Sequence, residues 1–175
     1  MAERSDAETP RDTDDDTNPV IAEVQAKTTE SAVAVAGHPL HAMTVHFPIA
    51  LVFCTLGCDV IYWWTGDDFW VRAGLWASGG AFFAGVAAAA IGTVELLWVA
   101  GIRSRAASWA HAIAAMTLVA IMAANWLLRV AHPDAVLPHG LALSVLAGIV
   151  TGIAGWHGGK LIFDHGIGLM VSPKD

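Results

Sequence analysis

Three histidines, His38, His41 and His46, fall within nine residues in the stretch Gly37-His-Pro-Leu-His-Ala-Met-Thr-Val-His-Phe-Pro-Ile-Ala-Leu51, at the mouth of a long apolar run. Imidazole can ligate a metal, carry a proton or simply hydrogen-bond, and an ionisable group this close to hydrocarbon needs a reason to be there. Further along stand Glu95, His111, His157 and His165. Two neutral imidazoles facing each other across a helical bundle are what a six-coordinate haem iron requires. His46 and His111 are the expected axial pair as haem iron ligands, with His41 and His165 as further cofactor-binding candidates able to swing in from their helix ends. The sequence has no Cys-x-x-Cys-His motif, so such a group would be non-covalent haem b. A carboxylate-bridged metal site would want more carboxylates and a Glu-x-x-His spacing, and neither is present.

A second, thinner polar set comprises Asp59, Asn125, His132, Asp134 and His139. A carboxylate in lipid must be paired or protonated, so Asp59 is expected to make an interhelical hydrogen bond with Arg129 or His139 as partner. Cys54 and Cys58, one helical turn apart, are read as packing residues and not as a disulfide. No nucleophile elbow, phosphate loop or zinc-protease motif occurs. No catalytic residue is assigned, and the expected chemistry is that of an electron carrier or a non-catalytic membrane subunit.

The elements that must hold these groups follow from composition. The chain has 175 residues, 55% hydrophobic and 14% charged, with mean hydropathy +0.55, which belongs to a bilayer and not to a soluble domain. Most of the formal charge of −7 sits in residues 1–36, a segment rich in Asp, Glu and Thr and expected to be a disordered acidic cytoplasmic tail. The rest is nearly neutral, with no basic patch suited to nucleic acid. Residues 37–171 are expected to form an all-α, four-helix transmembrane up-down bundle with spans at about 42–65, 71–100, 107–130 and 139–163. Pro48 falls in the first turns of the first span, where a missing N–H is tolerated. Glycines at 74, 79, 85 and 92 and again at 148, 152, 155 and 159 let helices approach closely in lipid. Arg103 and Arg105 in the second loop place both termini in the cytoplasm of a multi-pass protein of the bacterial inner membrane. His46, Glu95, His111 and His157 would then share one layer near the cytoplasmic face.

At His38-Pro-Leu-His41, His46-Phe-Pro-Ile-Ala-Leu51 with Asp59 beyond, Ala110-His111, and Gly158-Gly-Lys-Leu-Ile-Phe-Asp-His-Gly-Ile-Gly168, the chain resembles an uncharacterised family of small four-helix bacterial membrane proteins, a domain of unknown function. The resemblance spans about Gly37 to Val171. That family looks like a distant relative of membrane-bound b-type cytochromes, and its members accompany redox modules. It implies haem b, electron transport, and partners among other membrane or redox subunits besides the lipid bilayer, with His38, His41, His46, His111 and His165 as the matching histidines. Two other readings stand beside it: a structural accessory subunit scaffolding a membrane complex without cofactor, and a proton or metal-ion conductor using the histidine layer.

Overall fold

The computed structural model describes residues 29, 31–36 and 38–168. A two-residue hairpin pairs β1 (Ala34–Val35) with β2 (His38–Pro39). It leads into a short α1 (Leu40–Thr44) and then α2 (His46–Thr65). The interruption at Val45 has a local cause, since Pro48 has no N–H to offer the carbonyl of Thr44. Gly66 ends α2 in the left-handed conformation, φ 68°, and the Asp67 side chain caps α3 (Asp68–Trp98) by accepting from Phe69 N–H at 2.8 Å. A single turn, α4 (Ala100–Arg103), connects to α5 (Ala106–Ala131), and a 3₁₀ turn (Pro133–Val136) connects to α6 (His139–Phe163).

Four helical stretches, Leu40–Thr65, Asp68–Trp98, Ala106–Ala131 and His139–Phe163, are long and apolar enough to cross a membrane, each exceeding the ~20 residues that hydrocarbon requires. Their outward faces carry large apolar side chains in the open, among them Trp76, Ile113, Ile149 and Trp156. Polar groups occupy the interior instead: Thr55, Asp59, Ser78, Asn125, Arg129, Ser144 and Thr151 are all buried. This inverted distribution is what a lipid solvent selects.

α2 and α5 each pack against both α3 and α6, which closes a ring of four with α2 opposite α5. Contacts at the two ends give the directions. His41 near the start of the first span reaches Ala88 late in α3, and His111 early in α5 reaches Ala154 late in α6. At mid-depth Val52, Ala81, Met122 and Ala147, one from each span, form an apolar core layer.

The two helical hairpins repeat one plan. His111 and Arg129 lie seventy residues beyond His41 and Asp59; Gly140, Ser144, Ala147, Ala154 and Gly158 lie sixty-six beyond Gly74, Ser78, Ala81, Ala88 and Gly92. Burial repeats as well, so that Val52 and Met122, Thr55 and Asn125, Asp59 and Arg129 are buried in matching pairs. An approximate two-fold axis therefore runs along the bundle between the hairpins, and residues at matching positions face each other across it.

Thr29 and Ser31–Ala36, expected within a disordered tail, are instead fastened to the terminal end of the bundle. Thr29 exchanges backbone hydrogen bonds with Gly166 and Gly168, and Leu40 N–H donates to Val33 O. The Thr29 hydroxyl accepts from Arg105 Nη2, and Ser31 donates to the buried Glu95 carboxylate. These partners explain the attachment: the alanines and valines of the strap are largely exposed, and it is held by backbone and charged-group hydrogen bonds and not by burial. The acidic part of the tail, residues 1–28, lies outside the described residues.

Candidate functional site

At the terminal end, His41 and His111 meet near the axis with ring centroids 6.1 Å apart and planes nearly perpendicular at 79°. His41 Nδ1–H donates to the Ala88 carbonyl at 2.9 Å, and His111 Nδ1–H donates to the Ala154 carbonyl at 3.0 Å. Because a carbonyl only accepts, Nδ1 carries a proton in each ring, and in the neutral imidazole the lone pair is then on Nε2. Among the described residues neither Nε2 has a hydrogen-bond partner.

Two glycines make room for the rings. A Cβ on Gly92 would stand 2.7 Å from His41 Cε1, and one on Gly158 would stand 3.2 Å from His111 Cε1. Each glycine lies four residues beyond the alanine whose carbonyl holds the same imidazole, so one helical face both anchors the ring and yields to it.

The other histidines stand apart. His46 is exposed on α2 with Nδ1 at 3.3 Å from Met43 O, so the imidazole placed opposite His111 is that of His41. His38 is exposed, bonded to Ala36 O at 2.8 Å. His165 is half-buried past the end of α6, where its carbonyl accepts from Arg105. His157 is half-buried on α6, and His132 and His139 are exposed at the opposite end. Glu95, one turn past Gly92, is buried beneath the strap with Ser31 as partner. No group of three or more His, Cys, Asp or Glu side chains able to hold a metal ion occurs among the described residues. Any ion here would rest on the imidazole pair and on donors of its own.

At the far end a buried polar cluster spans the bundle. Arg129 Nη2 donates to Asp59 Oδ2 at 2.7 Å, Ser144 Oγ donates to the same oxygen at 2.6 Å, and Arg129 Nε donates to Asn125 Oδ1 at 2.8 Å. Asn125 Nδ2 closes the circuit on Ser144 Oγ at 2.9 Å. Of the two expected partners of Asp59, Arg129 is the one found; His139 is exposed. The guanidinium lies between two more glycines: a Cβ on Gly74 would come 2.8 Å from Nη1, and one on Gly140 would come 3.3 Å from Nη2. Asp59 Oδ1 and Arg129 Nη1 are left without partners. The apolar layer of Val52, Ala81, Met122 and Ala147 separates this cluster from the histidines. Such a dry layer opposes a continuous proton path between the two ends.

The family described as Predicted membrane protein (DUF2231) matches residues 37–170. The chain belongs to that family. The match opens one residue before His38 and closes at Met170, just past the Gly-Ile-Gly-Leu stretch, so it takes in all four spans, the histidine pair and the ion pair and leaves out the acidic tail. No curated protein and no solved structure matches the chain.

What inspection by residue type missed is the pairing of His41 with His111. A signal for it does exist in the sequence: Gly-Leu-x-x-Ser-x-x-Ala occurs at 74–81 and again at 140–147, followed in each case by Ala-x-x-x-Gly, at 88–92 and at 154–158. These repeats are offset by sixty-six residues; an offset of seventy in the helix that precedes each of them, four residues more, sets His41 on His111 and Asp59 on Arg129.

Proposed function

We propose that this membrane protein is a redox subunit that holds haem b between His41 and His111 and passes electrons within a larger membrane complex. The observation that carries the reading is the imidazole pair itself, whose Nδ1–H groups are tied to carbonyls while neither Nε2 has a hydrogen-bond partner among the described residues. The two ring centres stand 6.1 Å apart, and these are the imidazoles that would hold the haem iron.

The donor chemistry suits the group. The donors come from the first and third spans, opposite each other across the bundle, and are held in orientation by hydrogen bonds at the other ring nitrogen, as ligating histidines ordinarily are. On α3 and α6 the rings bond to the carbonyls of Ala88 and Ala154 and lie over Gly92 and Gly158. Haem bound there would supply one-electron chemistry. The protein's own part is to fix the two rings, exclude water with an apolar wall, and keep Glu95 and the strap between the pair and the terminal surface.

Orientation belongs to the same proposal. Arg103, Arg105 and Lys160 lie at the end shared by the termini. At the other end Arg129 is neutralised by Asp59, which leaves Arg72 as the exposed cation there among the described residues. The positive-inside rule then sets the histidine pair near the cytoplasmic face of the inner membrane.

Protein purified from haem-replete cells should show the Soret band of a six-coordinate low-spin haem. His41→Ala or His111→Ala should abolish or convert that spectrum, and His46→Ala and His132→Ala should leave it. A wild-type protein with no Soret band, and no gain on adding hemin, would overturn the proposal and leave the imidazoles as interhelical clamps in a structural subunit.

A further inference from the structure

In the four long helices, contacts between the first hairpin and the second are nearly all made by small or apolar side chains. Gly85 faces Val119, Gly79 faces Trp126, and Gly148 faces Leu56. Such surfaces attract without direction, and a stripe of glycines admits a neighbour at more than one depth. The histidines do not correct this, because each donates within its own hairpin: His41 to Ala88, His111 to Ala154. Among the described residues of these helices, the side-chain hydrogen bonds joining one hairpin to the other are those that Asp59 accepts from Arg129 and Ser144.

We infer that the chain is a tandem duplicate of one two-helix hairpin, and that the Asp59–Arg129 pair is the register key between the copies. The pair sets the depth and rotation of one hairpin against the other and so keeps His41 opposite His111 at the far end of the axis. The two pairs are five turns apart, about 27 Å along the helices, so a slip of one turn at the key would carry the histidines out of opposition. Buried ion pairs are poor sources of net stability, and fixing register is their best-attested use.

The duplication adds a sharper consequence: the key should work in either polarity. Thr55 stands one turn before position 59 as Asn125 stands before Arg129, and Ser78 of α3 is the counterpart of the Ser144 that donates to Asp59. An aspartate at 129 and an arginine at 59 would therefore find a serine and a side-chain oxygen already in place, and the glycines at 74 and 140 exchange roles in the same way.

The test needs no cofactor, so its outcome is separate from that of the haem proposal. In the full chain with Cys54→Ala and Cys58→Ala, oxidative cross-linking of Gly85→Cys with Val119→Cys reports native register, since a Cβ at 85 would lie 3.3 Å from Val119 Cγ2. Gly85→Cys with Ala123→Cys, one turn along α5, reports a slip. The native pair should dominate in the parent chain. In Asp59→Leu/Arg129→Met the ratio of the two yields should fall towards about one, the value for no preference between registers. In Asp59→Arg/Arg129→Asp it should return to that of the parent. An unchanged ratio in the apolar double variant, or a charge-inverted chain that does no better than the apolar one, overturns the inference. If the apolar variant does not accumulate in membranes, recovery of both accumulation and ratio in the inverted chain is the deciding result, and failure to recover overturns the inference equally.

Discussion

Replacing Gly92 by alanine tests whether the helix face beneath His41 is shaped for the ring. The new methyl would stand 2.7 Å from Cε1, 2.8 Å from Nδ1 and 3.2 Å from Nε2 of His41. Ordinary contact begins several tenths of an ångström further out, so the imidazole must swing away and give up its 2.9 Å bond to Ala88 O. Overpacking costs about 1–3 kcal/mol, and the lost hydrogen bond adds about 1 kcal/mol. Set against these is the gain of about 1 kcal/mol that any Gly→Ala change brings to a helix interior. Gly159→Ala is the control, because a Cβ there meets nothing within 4 Å, and it collects the helix gain alone. Gly158→Ala falls between, with its nearest contacts to His111 at 3.2 and 3.4 Å. Equilibrium unfolding of the detergent-solubilised protein should rank stability Gly159→Ala above Gly158→Ala above Gly92→Ala, with about 2–4 kcal/mol between the extremes. Equal stability of Gly92→Ala and Gly159→Ala would show that His41 does not rest on Gly92, and the anchored-imidazole geometry would be refuted.

Deleting residues 1–28 should leave the unfolding midpoint unchanged, whereas deleting 1–36 removes the bonds from Thr29 to Gly166, Gly168 and Arg105 and uncovers Glu95; at about 1 kcal/mol per bond the loss should be roughly 2–4 kcal/mol in the same unfolding assay. Ser104 is exposed in the loop carrying Arg103 and Arg105. A cysteine placed there, in a chain lacking Cys54 and Cys58, should resist an impermeant thiol reagent added to intact cells and react once the membrane is opened; reaction in intact cells would reverse the orientation.

Much of the fold was legible because lipid imposes a coarse rule on sequence. Uninterrupted apolar runs of the right length marked four spans, and the observed helices, Leu40–Thr65, Asp68–Trp98, Ala106–Ala131 and His139–Phe163, end within a few residues of the expected bounds. Asp59 was recognisable as a residue that had to find a partner, since an isolated carboxylate in hydrocarbon is too costly to leave alone. That reasoning reached Arg129 and His139 but could not choose between them: sequence gives a residue's depth far better than its rotation about the helix axis. The choice was made by the glycines at 74 and 140, which leave space for a guanidinium on the inner side of the bundle.

The histidines show the opposite case. By residue type and depth His46 was the expected partner of His111, with His41 a further candidate, but His46 lies exposed on α2, whereas His41, on the short α1 before the break at Val45, is the one that meets His111. The strap was illegible for a related reason, because Thr29 and Ser31 are held by single hydrogen bonds to Gly166, Arg105 and Glu95 and not by an apolar pattern. Periodicity reports which face of an element is buried, whereas a hydrogen bond between residues sixty or more apart leaves no period behind. By itself, then, the sequence determined the solvent, the number of spans and the need for buried partners. Tertiary structure decided which histidine meets which and which cation neutralises Asp59, because both depend on helix rotations that close packing between small residues selects.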